Sequence, residues 1–80
     1  MNDKQGERAS ERLGAEVAHN WRVRFQMPDG YYTFTDIGST SGLPMQKAAA
    51  LAWGANEVRK NPDRYSNVAS VYSIDHEVGT

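Results

Sequence analysis

Apolar and polar residues alternate strictly over Asn20–Met27: Trp21, Val23, Phe25 and Met27 are separated by Arg22, Arg24 and Gln26. A period of two sends the two sets to opposite faces of a β-strand. Tyr31–Ile37 follows, rich in aromatic and β-branched residues, and Pro28-Asp29-Gly30 between the runs has turn composition. The pair predicts a β-hairpin. Its register depends on the turn. Pro favours the first turn position, Asp suits the second, and Gly accepts a positive φ, which favours a three-residue loop closed by a glycine bulge. Met27 then lies opposite Tyr31, Phe25 opposite Thr33, Val23 opposite Thr35 and Trp21 opposite Ile37. A two-residue Asp-Gly loop is the alternative. It moves Tyr32 and Phe34 opposite Met27 and Phe25, but it sets Pro28 where a backbone N–H is normally donated.

The longest regular pattern is helical and runs from Pro44 to Asn61, PMQKAAALAWGANEVRKN. Pro44 suits a first turn, Ser39, Thr40 and Ser41 offer capping oxygens, Arg59 and Lys60 suit the negative end, and Pro62 stops it. Gly54 is the one weak position inside it. At about 100° per residue, Ala48, Leu51, Ala55 and Val58 form a stripe that predicts the sheet-facing side. Trp53 falls about 180° away from that stripe, near Gln46, Asn56 and Lys60. A third strand is predicted over Val68–Val78, with Val68, Tyr72, Ile74 and Val78 on one face.

Before the hairpin, Glu7–Ala18 has a weak helical pattern through Ala9, Leu13 and Val17, so residues 1–19 read as a flexible arm or a short N-terminal helix. Residues 20–80 read as one ββαβ domain. A right-handed crossover places the third strand parallel to the second and beside the first. The expected fold class is α+β, (α)ββαβ in order: a three-stranded sheet of order 2-1-3 with one main helix on one face.

Such a fold leaves three surfaces over. Trp53, with Asn56 and Lys60, is either an indole covered by the N-terminal segment or a helix rotated from this estimate, or else an anchor for a partner. The outer sheet face carries Arg22, Arg24 and Gln26 beside Tyr32, Phe34 and Asp36. That combination suits protein interfaces, and it also suits stacking of single-stranded bases. The outer two strands are edges with unpaired backbone groups.

Composition bounds the chemistry. Eighty residues with 39% apolar content make one small domain, and a net charge of −1 argues against nucleic-acid binding by bulk charge. The chain has no cysteine and no apolar run that approaches a membrane span, which together with the polar start predicts a cytoplasmic protein. Asp75-His76-Glu77 alternates across a strand, so it is not a metal cluster; GSTSG (Gly38–Gly42) reads as a capping loop because no lysine follows in the phosphate-binding position. No catalytic, metal or cofactor motif is present, so no enzyme and no cofactor are expected.

Gln46–Ala55, QKAAALAWGA, resembles the alanine-rich last helix of the double-stranded-RNA-binding domain. That domain places three strands before its last helix and ends on it; here two precede and one follows, so the family is not adopted. In order and size the chain is similar to several small phage-encoded inhibitors of host enzymes, a likeness that no residue motif accompanies. It implies a phage or mobile-element inhibitor or adaptor acting on a host protein complex. The expected function is therefore a small non-enzymatic protein-binding module, with Trp53, Asn56, Lys60, Arg22, Arg24, Tyr32 and Phe34 as contact residues. The alternative is a nucleic-acid-binding module using the aromatic and arginine sheet face.

Overall fold

The computed structural model describes residues 17–75. Its elements are β1 (Val17–Ala18), β2 (Asn20–Gln26), β3 (Tyr32–Gly38), β4 (Met45–Gln46), α1 (Lys47–Lys60) and β5 (Asn67–Ser73). The class is α+β. The main sheet runs β3-β2-β5, with β2 antiparallel to both neighbours, as the crossover argument predicts. The expected arm or helix before Val17, and His76 and Val78, lie outside the described residues.

The hairpin takes the register of the three-residue loop. Trp21 faces Ile37, Val23 faces Thr35 and Phe25 faces Thr33. Gly30 N–H donates to the Met27 carbonyl at 2.9 Å, and Met27 N–H donates to the Tyr31 carbonyl at 2.8 Å. Gly30 has φ +93°, a value that a side-chain-bearing residue adopts only under strain, and Asp29 Oδ1 accepts from Tyr31 N–H at 3.0 Å. Proline, aspartate and glycine therefore each do what their chemistry predicts.

Four features depart from the sequence reading. First, α1 begins at Lys47, not Pro44. Met45–Gln46 is instead drawn into a short antiparallel pair with Val17–Ala18, and the Met45 carbonyl accepts the Trp21 indole N–H at 2.8 Å. The loop hydroxyls cap nothing: Ser39 and Ser41 bond to each other and to the loop's own backbone. Second, α1 is turned by about one residue, roughly 100°, from the predicted stripe. Its buried positions are Ala50 and Gly54, while Ala48, Leu51 and Ala55 are exposed. The reason is steric. A Cβ on Gly54 would stand 2.9 Å from Val23 Cγ1 and 3.0 Å from Val68 Cγ2, so the bare glycine backbone is where the helix touches the sheet.

Third, Trp53 is not on the outer side of α1. It is half-buried and packs on the core, its ring centroid 6.2 Å from that of Phe25 at 57°. Tyr65 stacks on the same Phe25 ring at 4.1 Å. Fourth, β5 carries a bulge: Arg24 pairs with Ser70 but Phe25 with Val68, leaving Ala69 extra. Val68 and Val71 thus both serve the core, and Tyr72 turns to the outer face.

The core comprises Ala18, Trp21, Val23, Phe25, Ala50 and Val71, with the partly buried Ile37, Met45, Trp53, Val58, Tyr65 and Val68 around it. It lies between α1 and the β2–β5 half of the sheet; the helix scarcely meets β3. The helix ends where Asn61 donates from both its backbone and its side chain to the Glu57 carbonyl, at 2.9 and 3.0 Å, before Pro62. Ser66 N–H then reaches the Gln26 carbonyl at 2.7 Å and starts β5.

The other end of the sheet is closed by one carboxylate. Asp75 accepts from the backbone N–H groups of His19 and Asn20, at 3.0 and 2.7 Å, and these bonds hold its pKa below the usual carboxylate range. Because the pKa is depressed in the folded state, the stabilisation is present above the unfolded value of about 4 and is lost as pH falls through the folded one. Asp75→Asn should therefore flatten the acid limb of the thermal midpoint against pH. Parallel curves for variant and parent below about pH 4 would remove Asp75 as the cause.

Candidate functional site

Alternation in β2 and β3 sends Arg22, Arg24, Tyr32, Phe34 and Asp36 to the sheet face away from α1. The bulge adds Tyr72, whose register partner is Arg22. Phe34 is 54% exposed, Tyr32 51% and Tyr72 41%. Rings left this open on one face are unusual for a chain with so small a core.

The arginines are not loose. The Arg22 guanidinium grips Asp36 with two bonds, Nε to Oδ1 at 2.7 Å and Nη2 to Oδ2 at 3.0 Å, and lies 4.1 Å from the Phe34 ring centre. Arg24 lies 4.4 Å from the Tyr32 ring centre. Each arginine thus leans on the ring diagonal to it across the strand pair, within cation–π range. The bond to Arg22 holds the Asp36 pKa below the ordinary carboxylate value, and the same bond raises that of Arg22. Among the described residues Arg24 pairs with no carboxylate.

The seven expected contact residues divide between two surfaces. Arg22, Arg24, Tyr32 and Phe34 share the outer sheet face. Trp53, Asn56 and Lys60 lie on α1, on the other side of the sheet. There Asn56 accepts from Arg59 at 2.9 Å and Lys60 meets Glu57 at 3.3 Å, both within the helix surface. Tyr72 was missed because the bulge at Ala69 reverses which residues of β5 face outward; alternation alone gives the opposite answer. A depression between the hairpin turn and the α1–β5 loop is lined by Met27, Pro28, Asp29, Asp63 and Arg64 and has no aromatic wall. Among the described residues no group of three or more His, Cys, Asp or Glu side chains is placed to hold a metal, and no helix is long and apolar enough to cross a membrane.

Comparison with family models, curated proteins and solved structures finds no match for the chain.

Proposed function

We propose that the chain is a non-enzymatic protein-binding module whose contact surface is the outer sheet face. One observation carries the reading: Arg22 and Arg24 are already stacked on Phe34 and Tyr32, while the rings stay about half open to solvent. Tyr, Phe and Arg are the residues enriched where partners meet. Side chains ordered before contact lose less entropy on binding. The order and size of the chain favour an inhibitor or adaptor of phage or mobile-element type acting on a host protein complex in the cytoplasm.

The test is capture of host proteins by the immobilised full chain, followed by titration of any captured protein. Tyr32→Ala with Phe34→Ala should weaken binding by at least about tenfold, since two exposed anchors are lost. The thermal midpoint should move little, because both residues stand outside the core. Lys60→Ala, on the opposite side, should bind like the parent. Binding that survives the double variant and fails in Lys60→Ala would move the contact surface to α1.

A second reading rests on Arg24, which is exposed and stacked without a carboxylate partner among the described residues. Rings with such a cation can hold single-stranded bases. Oligonucleotide binding that falls with added salt and is lost in Arg24→Ala would favour it over a protein partner.

A further inference from the structure

We propose that the free edge of β3 pairs with β3 of a second copy of this chain, antiparallel, with Thr35 on the two-fold axis. The proposal concerns backbone groups at the edge, so it stands or falls apart from the use of the outer face.

The hairpin register decides which backbone groups are unused. Met27 N–H donates to the Tyr31 carbonyl to close the loop, so Thr33, Thr35 and Ile37 continue the bonded positions toward β2. Tyr32, Phe34, Asp36 and Gly38 therefore turn their N–H and C=O groups to the other side. Among the described residues no strand pairs there. An open edge is normally guarded by lysine, proline, a bulge or a covering element. Tyr32–Gly38 has no lysine, proline or bulge, and α1 lies over β5 and β2 instead. The inner-face residues Thr33, Thr35 and Ile37 remain half-exposed.

Self-pairing centred on Thr35 uses the whole strand. Phe34 lies opposite the second copy's Asp36, and Tyr32 opposite its Gly38, each in a hydrogen-bonded position; the two Thr35 residues meet in a non-hydrogen-bonded one. Charge selects this centre. Asp36 is the only charged residue of β3, and here it comes beside the ring on which the other copy's Arg22 rests. Carboxylates and guanidinium groups then alternate across the junction. Centring on Asp36 sets two carboxylates face to face, and centring on Phe34 leaves Gly38 unpaired. The junction joins two three-stranded sheets into one and leaves Tyr32, Phe34 and Tyr72 of both copies on a single face.

The experiment is sedimentation of the full chain over a wide concentration range, with cysteine cross-linking to fix the register. The chain has no cysteine of its own, so an introduced one reports alone. A non-hydrogen-bonded pair brings Cα atoms to about 4.5 Å, inside the range a disulfide spans. Oxidised Thr35→Cys should run as a covalent dimer on a non-reducing gel. Thr33→Cys should not, because it faces Ile37 of the other copy. The parent should show twice the monomer mass at high concentration and dissociate on dilution. A monomer at every concentration overturns the proposal and leaves the edge to a strand from another protein. So does a dimer in which Thr33→Cys links as readily as Thr35→Cys, or in which neither links.

Discussion

Trp21→Ala is expected to remove most of the stability this chain has. Trp21 is fully buried near the start of β2, and its indole N–H is donated to the Met45 carbonyl at 2.8 Å. Truncating a buried aromatic residue costs about 3–5 kcal/mol. The Met45 carbonyl also loses its indole partner, and leaving a part-buried acceptor unmade adds about 1–3 kcal/mol. A chain of this length has roughly 4–12 kcal/mol in all. The variant should therefore unfold at a much lower urea concentration than the parent, or fail to fold. Trp21→Phe separates the two causes. It keeps a ring in the core but removes the N–H, so it should lie between parent and Trp21→Ala. Far-ultraviolet circular dichroism against urea is the measurement, since Trp53 fluorescence would mask the loss of Trp21. A midpoint for Trp21→Phe equal to the parent's would mean that the bond to Met45 contributes nothing.

That bond also shows where the sequence stops being readable. The hairpin was legible, and of the two registers its turn left open the favoured one is found, because Pro28, Asp29 and Gly30 each take the position that suits their backbone preference. The sheet order was legible because crossover handedness leaves few choices. The start of α1 was not. Pro44, Met45 and Gln46 tolerate a first helical turn, and only tertiary partners, Trp21 and the two-residue β1, draw Met45–Gln46 into strand pairing. A two-residue strand has no period to detect.

The candidate face was half legible. Arg22, Arg24, Tyr32 and Phe34 followed from alternation once the register was known. Tyr72 did not, because a single inserted residue, Ala69, inverts the alternation ahead of it, and nothing in NVASVYS marks the insertion. Trp53 misled for a different reason. The helix is ringed with alanine, so hydrophobicity barely distinguishes its sides, and Leu51 and Val58 pulled the predicted stripe toward themselves. What sets the rotation is the absence of a side chain at Gly54, a signal that a hydrophobicity pattern reads with the wrong sign.

Gly54→Leu tests that reversal. By helix propensity the glycine is a defect, and replacing it should stabilise α1 by up to about 1 kcal/mol. Packing predicts the opposite. The first added carbon would stand 2.9 Å from Val23 Cγ1, and Val23 is fully buried and stiff at χ1. Val68 Cγ2 at 3.0 Å closes the other side. Either the valines shift or the helix lifts, and lifting also uncovers Ala50. Overpacking of this kind costs up to about 3 kcal/mol, which exceeds the propensity gain. In a domain of this size each 1 kcal/mol moves the thermal midpoint by about 4–8 °C, so Gly54→Leu should fall by ten degrees or so. Gly54→Ala should fall less, since propensity offsets part of one methyl group. Val23→Ala, destabilising alone, should cost less in the Gly54→Ala background, because it opens the space that the new Cβ needs. Additive losses in that cycle, or a Gly54→Leu midpoint at or above the parent's, would mean that the helix does not rest on the sheet through Gly54.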